Sequence, residues 1–222
     1  MRVLVIDTAL DACTAAVFED GRSLAERSEP MARGHQERIG VLVRDVADQA
    51  GGFGAIDRIG VTVGPGSFTG LRVGLSFAQG LGAALDRPVV GISTLQALAA
   101  SAPNPAGPVA AVIDARRGQV YLQTFIDGAP DGEPAPWDIE AARLHLDEAG
   151  PDWRLIGSGA PLIAPVGAEI LSLATPTAAA LAAMTLAADP ASAPPCPLYL
   201  RAPDATPPTR LPGQARERPV SA

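Results

Sequence analysis

Gly64-Pro65-Gly66-Ser67-Phe68-Thr69-Gly70-Leu71-Arg72-Val73-Gly74 follows an apolar strand, Ile59 to Val63, and runs straight into a helix with almost no charge. A strand, a tight glycine and proline turn and a helix form the joint from which α/β folds are assembled. Ser67 and Thr69 set hydroxyls at the helix start, where exposed amides suit an anion and where a Ser or Thr caps the first turn. Both uses stay open on these residues alone. The phosphate-loop pattern GxxxxGK[ST] is absent, since no lysine follows Gly70, and P-loop chemistry finds no support.

From Thr69 to Leu85 the only charged residue is Arg72. A helix apolar nearly all round needs cover on two sides, one from its own sheet and the other from a further layer or another subunit. Gly70, Gly74, Ala78 and Gly82 recur every four residues as a smooth ridge. Gly74 and Gly82 together cost roughly 2 kcal/mol relative to alanine unless close packing offsets it, so a close helix-to-helix approach is expected along the ridge. A second, amphipathic helix spans His35 to Ala50, with Ile39, Leu42, Val43, Val46, Ala47 and Ala50 at helical spacing. If the two lie side by side, His35, Ile39, Leu42, Val43 and Val46 with Gly70, Leu71, Gly74, Leu75, Ala78 and Gly82 form a surface on which another protein docks two helices. Packing inside the chain's own core is the alternative for the same residues. On the first reading, Gly74→Arg or Leu75→Glu breaks such a complex and leaves the fold intact.

At 222 residues, 47% of them hydrophobic, the chain holds one large domain or two small lobes. Val3 to Ile6 is too short for a signal-peptide core and no apolar run reaches the roughly 18 residues of a membrane span, so a cytoplasmic protein is expected. Cys13 and Cys196 lack metal-ligand spacing and read as lone reduced thiols. A net charge of -7 and a pI near 4.8 argue against an independent grip on nucleic acid, so any contact with tRNA is indirect. Pro203 to Ala222, with five prolines and three arginines, reads as a disordered tail.

With a constant offset of 107, Val5-Ile6-Asp7 matches Val112-Ile113-Asp114, and Phe18, Asp20 and Gly21 match Phe125, Asp127 and Gly128. In each copy an apolar strand ends in aspartate, a second strand follows, and Asp-Gly supplies a hairpin turn. Each copy later runs a strand into a Gly-x-Gly turn, at Gly64-Pro65-Gly66 and at Gly157-Ser158-Gly159. This is a duplicated unit. The first half reads as strands at 2–8, 13–18 and 22–28, helix 35–50, strand 58–64, helix 69–85 and strand 88–92. A stretch rich in Ala, Pro and Asn, 97–108, separates it from strands at 109–114, 118–126 and 154–157, a helix at about 177–188 and a strand at 198–201. The expected units are therefore 1–100, 101–202 and the tail 203–222. Asp7 and Asp114 at matching strand ends suggest a cleft between lobes, suited to a nucleotide phosphate chain and its magnesium ion.

Enzyme signatures are sparse. His35 and His145 stand 110 residues apart, so neither His-x-x-x-His nor His-Glu-x-x-His exists and a metallopeptidase lacks its ligands. His35 fits a partly exposed residue at a helix start better than a base. Ser67 lacks the Gly-x-Ser-x-Gly elbow of a nucleophile and fits a cap.

Gly64-Pro65-Gly66-Ser67-Phe68-Thr69-Gly70-Leu71-Arg72, together with Ile6-Asp7-Thr8, Asp114-Ala115-Arg116, Gly118, Val120, Tyr121 and Tyr199-Leu200-Arg201, resembles the TsaB (YeaZ) family over nearly all of residues 1–201. That resemblance implies an α/β fold of two duplicated lobes, the actin-like and sugar-kinase ATPase (ribonuclease H-like) class. It implies a non-catalytic subunit of the complex that places threonylcarbamoyl on the adenosine beside the tRNA anticodon. The catalytic TsaD-type subunit would bind the two first-lobe helices, with a TsaE-type ATPase as a further partner. A homodimer is expected when the chain is alone. The nucleotide site, Asp7, Gly64, Gly66, Ser67, Thr69, Asp114, Gly157 and Gly159, would survive as a vestige that takes ATP or ADP with magnesium weakly, with no cofactor of its own. Two alternatives remain: an active nucleotide-binding ATPase or kinase of the same fold, and a glycoprotease-type peptidase.

Overall fold

Two sheets with the same strand plan organise the chain in a computed structural model, which describes residues 1–104, 106–150 and 152–201. β1 (Arg2–Asp7), β2 (Ala12–Glu19) and β3 (Arg22–Pro30) form an antiparallel meander. Helix α1 (His35–Gln49) then leads to β4 (Arg58–Gly64), helix α2 (Phe68–Leu85) leads to β5 (Val89–Ser93), and both strands add in parallel to give the order β3-β2-β1-β4-β5. Helix α3 (Thr94–Ala100) bridges to the second sheet. There β6 (Pro108–Arg116), β7 (Gln119–Ile126) and β8 (Ala129–Pro130) repeat the meander, while β10 (Arg154–Ile156) and β11 (Glu169–Leu171) repeat the parallel additions, in the order β11-β10-β6-β7-β8. Strand β9 (Ala135–Asp138) also pairs with β7, and helices α4 (Ile139–Ala149) and α5 (Ala160–Ile163) flank this sheet. Helix α6 (Ala178–Ala187) is the last regular element among the described residues. The two sheets have matching neighbours and matching strand directions, which is the duplicated actin-like plan expected from the repeated residues.

The hairpin reading holds in both copies. Asp20 and Gly21 (φ 48° and 83°) and Asp127 and Gly128 (φ 50° and 78°) all occupy the left-handed region that a two-residue primed turn requires.

Several expectations are corrected. Residues 97–108 are not simply a separator, because Thr94–Ala100 is helical and its Leu95 and Leu98 are fully buried. Elements β8, β9, α4, α5 and β11 lie in stretches whose short or interrupted apolar pattern gave no periodic signal. Residues 198–201 form no strand. The boundary at residue 101 also fails for the last helix: Ala178, Leu181 and Ala182 of α6 pack on Val3, Val5, Ala16 and Phe18 of the first sheet. Helix α6 therefore belongs to the first lobe, covering the face opposite α1 and α2. Arg58 fixes it there, since Nη1 donates to the carbonyls of Thr185 (2.9 Å) and Ala188 (2.7 Å) at the end of α6. The expected tail from residue 203 lies outside the described residues.

Candidate docking face and interlobe cleft

Helix α1 is tied to β3 by a two-pronged pair in which Arg38 Nε and Nη2 donate to the two carboxylate oxygens of Glu29. Helix α2 is capped by Ser67, whose Oγ accepts from the Gly70 amide (3.3 Å), so the capping reading of this serine holds. Both helices lie on the same face of the first sheet and enclose one core with Leu4, Ile6, Ile59 and Val61.

That packing corrects the expected partner surface. Ile39, Leu42, Val43, Val46, Leu71, Leu75 and Ala78 are all buried within the chain, as are Gly70, Gly74 and Gly82. The glycine ridge faces inward. A Cβ on Gly74 would stand 2.4 Å from Thr8 Oγ1, one on Gly70 would stand 2.0 Å from the Thr8 carbonyl, and one on Gly82 would stand 2.3 Å from Val89 Cγ2. Close approach is the reason for these glycines, as the energetics required, but the neighbour is the chain's own β1 end and β5 instead of another helix. Gly74→Arg and Leu75→Glu would therefore disrupt the lobe itself.

What α1 and α2 leave uncovered are the positions between the buried ones. Gln36, Phe68, Thr69, Arg72 and Ser76 are exposed and Val73 and Phe77 are half-buried, and with Ile39 they line a shallow groove of about 630 Å³. Phe68 keeps 46% of its surface open. The Arg72 guanidinium lies 3.9 Å from its ring centroid and the Tyr199 ring lies 5.3 Å away. The heptad complement of the ridge was the available signal for these residues, since outward positions follow once the inward ones are known.

His35 is buried, with 7% of its surface open, and its Nε2 donates to the Leu10 carbonyl at 3.2 Å. It is a tether between the start of α1 and the β1–β2 connection, not the partly exposed residue expected.

A second concavity of about 540 Å³ opens between the lobes, lined by Ala9, Leu10, Asp11, Gly66 and Ser67 from the first and by Asp114, Arg116, Tyr121 and Ser158 among others from the second. The paired-aspartate expectation is corrected here. Asp114 does face this cleft, where Oδ1 accepts from the Arg116 amide (2.7 Å) and Oδ2 pairs with Arg116 Nη1 (3.1 Å). Asp7 does not: it is 1% exposed, and its Oδ1 accepts from both the Ala9 amide (2.9 Å) and the Thr62 hydroxyl (2.8 Å). Burial pushes its carboxyl above the usual range, with those two donors opposing the shift. Its chemistry is that of a brace between β1 and β4.

The Gly-x-Gly turns are likewise engaged within the chain. Ser67 N donates to the Ala9 carbonyl (2.7 Å), Gly157 N to the Leu173 carbonyl (2.9 Å) and Gly159 N to the Val112 carbonyl (3.0 Å). Gly64, at φ 111°, turns the chain beneath Leu198, and a Cβ there would meet the Leu198 carbonyl at 2.8 Å. Thr69 points away from the cleft lining and onto the α1–α2 groove. Asp11 and Ser158, which sequence reasoning left without a role, complete the cleft wall, and Ser158 Oγ accepts from the Asp114 amide (3.1 Å). Among the described residues no cluster of three or more His, Cys, Asp or Glu has metal-ligand geometry. Cys13 is buried, and desolvation beside the Glu29 carboxylate pushes its thiol up to about 11, as befits an inert core cysteine. No helix among the described residues is long and apolar enough to cross a membrane.

Over 167 residues, 72% of each chain, the sequence is 36% identical to an Escherichia coli (strain K12) protein named tRNA threonylcarbamoyladenosine biosynthesis protein TsaB. The chain belongs to the TsaB family. An uncharacterized Mycobacterium tuberculosis protein is 38% identical over 209 residues, 92% of this chain and 94% of its own. Residues 28–130 match the family model described as TsaD: tRNA N6-adenosine threonylcarbamoyltransferase. Among solved structures, YeaZ from Pseudomonas aeruginosa superposes with a TM-score of 0.74 at 33% identity, covering 90% of this chain and 99% of that one. A second P. aeruginosa structure, described as similar to peptidase YEAZ, gives a TM-score of 0.75 at 32% identity.

Proposed function

We propose that this chain serves tRNA threonylcarbamoyladenosine biosynthesis as a non-catalytic subunit that seats a TsaD-type transferase on the open groove between α1 and α2. The single observation that carries the reading is this groove on a TsaB-family chain: an exposed aromatic and a cation, Phe68 and Arg72, beside small outward residues of α2 that let another helix approach closely. The cleft supports the non-catalytic half. Of the two carboxylates expected to share a metal, one is closed off by its own hydrogen bonds, and the turn amides of Ser67, Gly157 and Gly159 already serve carbonyls of the chain. Contact with tRNA and with a TsaE-type ATPase would then come through the assembled complex.

The test uses Ser76→Arg and Gly80→Arg. Both sites are exposed on α2, nothing lies within 4 Å of a Cβ at residue 80, and neither change touches the core. Ser76→Arg is expected to keep the thermal midpoint of the parent and Gly80→Arg to match or exceed it, and each is expected to lose co-elution with the TsaD-type subunit in size-exclusion chromatography. The purified chain alone is expected to give no threonylcarbamoylated tRNA from the threonylcarbamoyl adenylate. Retained co-elution of both variants would overturn the docking face, and turnover by the chain without partners would overturn the non-catalytic role.

A further inference from the structure

Residues 189–201 belong to neither sheet ladder, yet from Ala193 to Tyr199 they are fastened to the first lobe. Gly91 N donates to the Ala193 carbonyl (2.9 Å), Gln79 Nε2 to the Pro195 carbonyl (2.8 Å) and Leu198 N to the Val63 carbonyl (2.7 Å). Tyr199 then lands on the outward face of α2, where its hydroxyl accepts from Arg72 Nε (3.2 Å) and its ring neighbours Phe68. Two residues later the chain has crossed to the other lobe. Arg201 Nη2 donates to Oε1 of Gln119, the first residue of β7, and Gln119 Nε2 donates to Asp138 Oδ1 (3.0 Å) at the start of α4.

The span is short. From Tyr199 to Arg201 the backbone reaches at most about 7 Å, and Pro194, Pro195 and Pro197 stiffen the approach. A displacement of the second lobe by a few ångströms therefore either breaks the Arg201 bond or pulls Tyr199 off Phe68 and Arg72. Among the described residues the seam also holds an apolar cluster in which Ala9, Leu10 and Leu71 meet Ile113, Phe125 and Ile156. Apolar contact is non-directional and tolerates sliding, whereas the guanidinium–amide bond has a preferred geometry.

We infer that Tyr199-Leu200-Arg201 is a latch that couples the outward face of α2 to the seating of the second lobe, with Gln119 as its keeper. A protein bound over Phe68 and Arg72 and any shift of the second lobe then influence each other reciprocally. The identity of that protein rests on the function proposed above, but the latch lies wholly within this chain.

Hydrogen exchange of the full free chain, read by mass spectrometry, tests it. Gln119 makes its side-chain bonds to Arg201 and Asp138, far along the chain from α2. A merely local role for Gln119 would leave α2 unaffected. Gln119→Ala and Arg201→Ala are each expected to speed exchange at Gly70 to Val73 by about threefold to tenfold, the range of one net hydrogen bond. The double variant is expected to add nothing further, and Arg201→Lys to restore most of the protection. Unchanged exchange at Gly70 to Val73 in Gln119→Ala, or full additivity in the double variant, would overturn the latch. In a second arm, affinity for the TsaD-type subunit is expected to fall by the same factor in Gln119→Ala. If the parent chain shows no affinity, the functional proposal fails, and the exchange data still judge the latch.

Discussion

One methyl group added at either of two positions in α2 should move stability in opposite directions. Gly74 and Gly80 both lie in the interior of this helix, and intrinsic propensity favours alanine at either by up to about 1 kcal/mol. At Gly80 nothing lies within 4 Å of the new Cβ, so Gly80→Ala is expected to stabilise by about 0.5–1 kcal/mol. At Gly74 the Cβ would sit 2.4 Å from Thr8 Oγ1, and that hydroxyl is buried and donates to the Gly70 carbonyl at 2.8 Å. Thr8 must yield. Overpacking of this kind costs roughly 1–3 kcal/mol and a displaced buried hydrogen bond about 1 kcal/mol more. Set against the propensity gain, Gly74→Ala is expected to destabilise by about 1–3 kcal/mol, or a few degrees to roughly 10 °C in a chain of this size. Urea unfolding followed by circular dichroism, with thermal midpoints alongside, measures both variants. The next nearest atoms to that Cβ, Thr8 Cβ and Val61 Cγ2, stand at 3.6 Å, so the clash resides in one hydroxyl. In a Thr8→Ala background the Gly74→Ala penalty should shrink by at least about 1 kcal/mol. Equal effects of alanine at 74 and 80, or a penalty untouched by Thr8→Ala, would refute the account of the inward ridge.

Asp7 gives a pH dependence with a defined sign. Burial raises its folded-state pKa above the ordinary value of 3.8, so the folded state holds its proton more tightly than the unfolded one. Stability from this group is fully present below the unfolded pKa and is lost as pH rises through the folded pKa. Asp7→Asn keeps the Oδ1 acceptor for Ala9 and Thr62 and cannot ionise, so its advantage over the parent should grow from near pH 4 upward and then level off. An advantage that shrinks with rising pH between 4 and 7 would contradict the burial argument. For the interlobe cleft, isothermal titration of the free chain with ATP and magnesium is expected to show at most weak binding, with a dissociation constant no tighter than about 0.1 mM, since the turn amides of Ser67, Gly157 and Gly159 are already engaged. Micromolar binding abolished by Asp114→Asn would favour an active nucleotide-dependent enzyme.

Local chemistry carried much of the fold into the sequence. The Asp-Gly turns, the apolar strands that end in Asp7 and Asp114, and the period of α1 and α2 each follow from backbone preference and side-chain spacing over a few residues, and the duplication is legible because the two copies keep these signals at one offset. The assignment of α6 to the first sheet was not legible. Its ten residues are nearly all small and apolar, a pattern with no preferred face, so only the space left against Val3, Val5 and Phe18 selects its position. Sequence likewise established that Gly74 and Gly82 need a close neighbour, because the helical cost of glycine demands one, but it could not name that neighbour. Tertiary structure decided that it is Thr8 and Val89 of the same chain, which turned the expected docking residues inward and left Phe68, Arg72 and Ser76 facing out. It decided, too, that Asp7 and Asp114, alike in sequence, part company, because Thr62 and the Ala9 amide close over one while the other stays at the cleft wall. The Ala9 amide is local, but the Thr62 hydroxyl reaches Asp7 from fifty-five positions away, and a contact of that kind exists only once the chain has folded.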